Sequence, residues 1–173
     1  MRAFAAMIGD PTNWDSLAVL SHSLTTGRVA SEVPYPNGVW DHYAKNPDLG
    51  RQFDAAMTAK SHGDIPLLLA ALDMSGVSTV ADIAGGRGHF LRAVLDAHPN
   101  VTGLLFDLPA VVANAPDHAR MTKIGGDFFK SDMPKADLYL MTHIIHDWAD
   151  QESIAILTNL RRALLLSTSN RSE

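Results

Sequence analysis

The spacing of apolar positions changes once along the chain, near Gly76. Before that point it is helical. Trp14, Leu17, Leu20 and Leu24 share one helical face, and Gly27 follows as a stop. Pro-Tyr-Pro-Asn-Gly at 34–38 reads as a loop. Asn46-Pro47 predicts a helix start, with Asn as N-cap and Pro at the first helical position. That helix carries Leu49, Phe53, Met57 and Ser61 four apart, hence on one face. Residues 65–74 predict a further helix. After Gly76 short β-rich runs alternate with helical stretches. Strands are predicted at 79–83, 101–106, weakly at 121–124, and at 136–142 after Pro134. Helices are predicted at 90–97, ended by His98-Pro99, at 108–115, closed by Pro116, and at 151–165. In the last, Asp150 is the expected cap, and Arg161 and Arg162 are placed in the final turn. Strands alternating with helices predict a parallel, doubly wound sheet, an α/β fold.

The segment Val80-Ala-Asp-Ile-Ala-Gly-Gly-Arg-Gly88 joins the first strand to its helix through three glycines in four positions. A strand, a tight turn and a helix N-terminus can hold a nucleotide-like cofactor against bare backbone. Three readings are open: NAD(P), S-adenosylmethionine, or a turn with a structural role only. Gly86 and Gly88 fit the first two glycines of a dinucleotide motif, but its third position is Leu91. That departure speaks against a pyrophosphate. S-adenosylmethionine needs only close backbone approach. Asp107, ending the second strand, suits ribose hydroxyls in either cofactor. Asp127 and Phe128, after Gly125-Gly126, suit an adenine amino group and ring.

Composition narrows the field. The chain has 173 residues, 46% of them apolar and 19% charged, as in ordinary globular proteins. A net charge of -5 argues against nucleic acid as a partner. The absence of cysteine excludes disulfides, thiolate metal sites and cysteine nucleophiles. No apolar run approaches the roughly 20 residues of a membrane span. With no clear leader segment at its start, the chain reads as cytoplasmic.

His143-Ile-Ile-His146-Asp147-Trp148-Ala-Asp150 follows the last predicted strand. Ligands of open parallel sheets sit beyond the carboxyl ends of the strands. A histidine there can serve as a general base, because its reference pKa of about 6.5 lies near working pH. Neither an HExxH zinc pattern nor an EF-hand loop is present, so no metal is expected.

Taken in order, these segments resemble the S-adenosylmethionine-dependent small-molecule O-methyltransferases of the plant caffeic acid and bacterial polyketide type. The likeness runs from about Trp14 to Leu165. It is carried by Leu24-Thr-Thr-Gly27, Phe53-Asp-Ala-Ala-Met57, the glycine segment, Leu105-Phe-Asp-Leu-Pro109, Gly126-Asp-Phe-Phe129 and, most distinctively, His146-Asp-Trp148. The resemblance implies a class I methyltransferase sheet of Rossmann-like type, preceded by a helical region that lines the acceptor pocket. It implies that Gly85 and Gly86 lie under the methionine part of the cofactor. Asp107 would hold the ribose, with Leu108 beside the adenine, and Asp127 and Phe128 would flank that ring. Ser61 would lie near the cofactor carboxylate. His146 matches the catalytic base, with Asp147 beside it. Phe53, Met57 and Trp148 are the implied acceptor-lining residues. Ala84 precedes Gly85 where the family usually has glycine. Thr142, a cofactor-site position, stands where many members carry Lys or Arg.

The resemblance also implies a chain truncated at both ends. The family is homodimeric, and its N-terminal dimerisation region is absent, as are the strands after residue 165. Strand order 3-2-1-4 is then expected, with the fourth strand as an exposed edge. The expected parts are a helical region (1–76), an incomplete cofactor-binding α/β domain (77–165) and a polar tail (166–173). The expected function is methyl transfer to a hydroxyl of a small aromatic or polyketide-like molecule. The alternatives are a non-catalytic fragment that binds the cofactor weakly or only pairs with another subunit, and an NAD(P) dehydrogenase.

Overall fold

A computed structural model of the protein describes residues 2–61 and 63–168. Its chain forms two compact units that divide between Asp64 and Ile65. This boundary falls earlier than the expected break at 76.

The first unit holds α1 (Arg2–Ile8), α2 (Pro11–Ala18), α3 (Leu20–Thr26), α4 (Val39–Lys45) and α5 (Pro47–Ser61). Asp10 caps α2 by accepting from Thr12 N at 2.8 Å. The stripe from Trp14 to Leu24 spans two helices, not one, because the backbone breaks at Val19 (φ -110°, ψ 23°). All four stripe residues are exposed, Leu24 most of all at 82%. Gly27 ends α3 in the left-handed conformation (φ 72°), as its position predicts. Asn46 serves two helices. Its carbonyl accepts from Gly50 N at 3.1 Å in the first turn of α5. Its side-chain amide donates to His42 O at 2.9 Å at the end of α4.

The second unit is built on a four-stranded parallel sheet of order β3-β2-β1-β4. In chain order it runs α6 (Ile65–Ala71), β1 (Thr79–Ile83), α7 (His89–Ala97), β2 (Thr102–Asp107), α8 (Pro109–Val112), β3 (Met121–Gly125), β4 (Leu138–Leu140) and α9 (Asp150–Thr168). Two apolar clusters cover its faces. One gathers Val80 and Leu105 with Leu91, Val94 and Leu95 of α7, and α6 packs against it through Ile65, Leu68 and Leu69. This contact is why α6 belongs with the sheet. The other gathers Ala81, Ile83 and Phe106 with Ile156, Leu160 and Ala163 of α9. Helices on both faces make the sheet doubly wound, as the alternation predicts.

Close packing of α7 on the sheet does not need a glycine at position 91. Gly103 on β2 supplies the gap instead, since a Cβ there would meet Leu95 Cδ1 at 2.9 Å and Leu91 Cδ1 at 3.1 Å. The weakly predicted third strand is a full five-residue element. The fourth covers only Leu138–Leu140 of the expected 136–142. Among the described residues it pairs with β1 alone. Its approach is fixed by Asp137, whose Oδ2 accepts from Ser78 N, Ser78 Oγ and Thr79 N. α9 runs on to Thr168, so Arg161 and Arg162 lie inside it and not in its last turn. Ser153 N bonds to Ala149 O at 2.9 Å, which puts Asp150 in the first turn rather than at the cap. Of the expected tail, 166–168 are helical and 169–173 lie outside the described residues. Among the described residues, no helix is long and apolar enough to cross a membrane.

Candidate functional site

At the carboxyl end of β1 the chain turns through Ala84 (φ 53°), Gly85, Gly86 (φ 59°), Arg87 and Gly88 (φ 67°) into α7. Ala84 N donates to Phe106 O at 2.8 Å, and Gly88 N to Gly85 O at 2.9 Å. Ala84 adopts a left-handed conformation that glycine takes at no steric cost. Gly85 is required by what lies beneath it. A Cβ there would stand 2.5 Å from Asp82 Cγ and 2.7 Å from Leu105 Cδ1.

Asp82 is a feature that the sequence reading missed. It is 3% exposed, and the turn folds over its carboxyl group. Burial, then the nearby Asp107 carboxylate, push its pKa up to about 7, against the opposing pull of the Leu91 amide. That amide belongs to the first turn of α7, whose N-cap, Gly88, has no side chain to offer. Asp82 therefore reaches the helix N-terminus from the strand. The signal in the sequence was an acid inside a mostly apolar strand.

Asp107 ends β2 and is half-buried. Its Oδ2 accepts from Gly86 N at 2.8 Å and its Oδ1 from Leu108 N at 2.7 Å. The glycine turn and the second strand are thus tied through this one carboxylate. Leu108 beside it is exposed. Beyond β3, Asp127 organises its own turn. Phe129 N donates to Asp127 Oδ1 at 2.9 Å, and Lys130 Nζ lies 2.9 Å from Asp127 Oδ2. Burial alone would raise the Asp127 carboxyl. Lys130 and the Phe129 amide outweigh it and hold the group below its ordinary value.

Beyond β4, half-buried Thr142 leads into His143, which carries φ 58°. A 3-10 turn at Ile145–Asp147 then holds His146. The His146 side chain is 60% exposed, its Nε2 lies 3.3 Å from Asp147 Oδ1, and its ring lies 5.6 Å from that of His143. Trp148 packs edge-on against Phe128 and Phe129.

The second unit therefore collects Gly85, Gly86, Asp107, Leu108, Asp127, Phe128, Thr142, His146, Asp147 and Trp148 beyond the carboxyl ends of its four strands. Phe53 and Met57 lie on α5 of the first unit, both half-buried. Phe53 meets the rings of Trp40 (5.3 Å) and Tyr43 (5.1 Å) there. Ser61 closes α5, and its side chain lies outside the described residues.

Residues 18–168 match the sequence model of a family described as the O-methyltransferase domain. The chain is 34% identical over 161 residues to the mitomycin biosynthesis 6-O-methyltransferase of Streptomyces lavendulae, an alignment covering 89% of this chain and 46% of that protein. The solved structure of the mitomycin 7-O-methyltransferase MmcR superposes with a TM-score of 0.87 at 33% identity, covering 93% of this chain and 50% of that one. The O-methyltransferase NcsB1 from neocarzinostatin biosynthesis, solved with S-adenosylmethionine and 2-hydroxy-5-methyl naphthoic acid, superposes with a TM-score of 0.80 at 28% identity, covering 91% and 50%. The chain spans about half the length of these relatives.

Proposed function

The chain belongs to the O-methyltransferase domain family, and from that premise we propose that it binds S-adenosylmethionine at the glycine turn and serves methyl transfer to a hydroxyl of a small aromatic or polyketide-like acceptor. The observation that carries the reading is the tie between the Asp107 carboxylate and the Gly86 amide, with Gly85 packed on Asp82. It leaves a turn with no side chain but that of Arg87 between residues 85 and 88, next to an acid that is already oriented. The residues fit the cofactor in charge as well. A sulfonium cation suits a strand end furnished with Asp107 and Asp127, and its neighbour NcsB1 was solved with this cofactor.

In this reading Gly85 and Gly86 lie under the methionine part, and Ser61 lies near its carboxylate. Asp107 holds the ribose. Leu108, Asp127 and Phe128 surround the adenine, and Thr142 is a further contact. The bound cofactor supplies an electrophilic methyl group on sulfur. His146 takes the acceptor's hydroxyl proton at a ring nitrogen, and Asp147 stabilises the imidazolium so formed. Phe53 and Met57 line the acceptor. The remaining rate comes from holding acceptor and cofactor in line.

The test is transfer of labelled methyl from S-adenosylmethionine to a panel of phenols. His146→Ala is expected to lower kcat by about 10²–10⁴-fold, the usual contribution of a general base. Unchanged turnover in that variant would remove His146 from the mechanism. A second reading, cofactor binding without turnover, is favoured by the exposure of His146, whose neighbouring carboxylate is itself 40% exposed.

A further inference from the structure

Trp148 joins the two halves of the site in the second unit. Its indole meets Phe128 at 5.7 Å and 87°, and Phe129 at 4.7 Å and 78°. The two phenyl rings meet each other at 4.8 Å and 73°. All three contacts are edge-to-face, the arrangement that aromatic quadrupoles favour.

Each end of this trio is anchored. On one side, Phe129 N donates to Asp127 Oδ1. Asn159 of α9 donates its side-chain amide to Phe128 O at 3.0 Å and to Ser131 O at 3.1 Å. On the other side, Trp148 N donates to Ile145 O at 3.2 Å, closing the turn that contains His146. Ser153 Oγ donates to Trp148 O at 3.4 Å, at the start of α9. Among the described residues, the ring contacts of His146 are Asp147 and His143, both within its own segment.

We infer that Trp148 is a positioning residue, whose indole clasps the His146 turn to the Asp127–Phe129 turn so that a ligand seated on one resets the other. The ligand is the cofactor if the reading above holds, and the clasp rests on that reading only for the ligand's identity. Trp148 then acts through His146 and does not touch the reacting atoms, in contrast to the acceptor-lining role implied by resemblance. Its ring is committed to Phe128 and Phe129.

The experiment is histidine-ring NMR on the 173-residue chain, free and saturated with S-adenosylhomocysteine. His146→Gln assigns the signal, and His118, paired with Asp96 at 3.4 Å, serves as an internal control. In the free chain, Trp148→Ala and Phe129→Leu are each expected to abolish the cross-peak between the His143 and His146 rings, leaving His118 unmoved. Trp148→Phe, which keeps an aromatic edge, is expected to restore it. Phe129→Leu leaves an apolar side chain at a partly exposed position, so it decides the matter if Trp148→Ala does not fold. With ligand bound, the wild-type His146 signal is expected to move, and to move less than half as far in Trp148→Ala. A cross-peak retained in both variants overturns the clasp. So does a full ligand-induced shift without the indole. Failure of the wild type to bind S-adenosylhomocysteine would sink the cofactor reading, while the free-chain comparison still decides Trp148.

Discussion

At residue scale the site depends on a buried acid and the glycine above it. Adding a methyl group at Gly85 would force it into Asp82 and Leu105, neither of which has room to retreat. Gly85→Ala is therefore expected to cost about 1–3 kcal/mol in urea unfolding, the range for overpacked cores. An unchanged midpoint would mean that the turn moves more freely than its contacts indicate. Asp82 makes stability depend on pH in the opposite sense to a salt-bridged carboxylate. Unfolded, it loses its proton near 3.8; folded, it keeps the proton to about 7. Its contribution is fully present below pH 4 and is lost as pH rises towards 7, at up to about 1.4 kcal/mol per pH unit. Asp127, held below its ordinary value, acts at lower pH, outside this window. Asp82→Asn is expected to flatten the slope between pH 4 and 7. Parallel stability profiles of wild type and variant would contradict the burial of a neutral acid. Asp107 was legible in the sequence because it ends an apolar strand, and Asp127 because it follows the Gly125-Gly126 pair beyond β3. Asp82 was not, because its neighbours mark it only as a strand residue until the turn closes above it.

At the scale of elements the two-faced core followed from the alternation of periods and the strand order from the family resemblance, and β3, weak in sequence, is secured by its register with β2. Element ends were less legible. The single helix read from Trp14 to Leu24 is broken at Val19, and β4 is shorter than the run that predicts it. One tie between elements left no trace in the spacing. Arg120, just before β3, donates Nη1 to His98 O (2.9 Å) and Val101 O (2.7 Å), and Nη2 to Leu95 O. It thus closes the C-terminus of α7 and the loop into β2 with one planar fork. Removing it leaves several half-buried carbonyls without a charged donor, so Arg120→Ala is expected to cost about 2–3 kcal/mol. Arg120→Lys is expected to recover only part of this, having no fork. Thermal denaturation of the three proteins checks both; an Ala variant as stable as wild type would deny the tie.

At the scale of the whole molecule the candidate cofactor residues divide unevenly. Apart from Ser61, all of them lie in the second unit, whereas Phe53 and Met57 belong to the first. The cofactor question can therefore be asked of this chain without knowing the acceptor. The division was not legible in sequence because α6 continues the helical period of the first unit while packing its apolar face on the core of the second. On α9, Ile154, Leu157, Leu164 and Leu165 are exposed, and among the described residues β4 is paired only with β1. The most direct measurement is calorimetric titration of the 173-residue chain with S-adenosylhomocysteine, alongside Asp107→Ala. The account predicts saturable binding near one per chain, lost or reduced at least about tenfold in the variant, as expected when a charged hydrogen-bonding group is removed. A chain that melts cooperatively yet takes up no S-adenosylhomocysteine would contradict it.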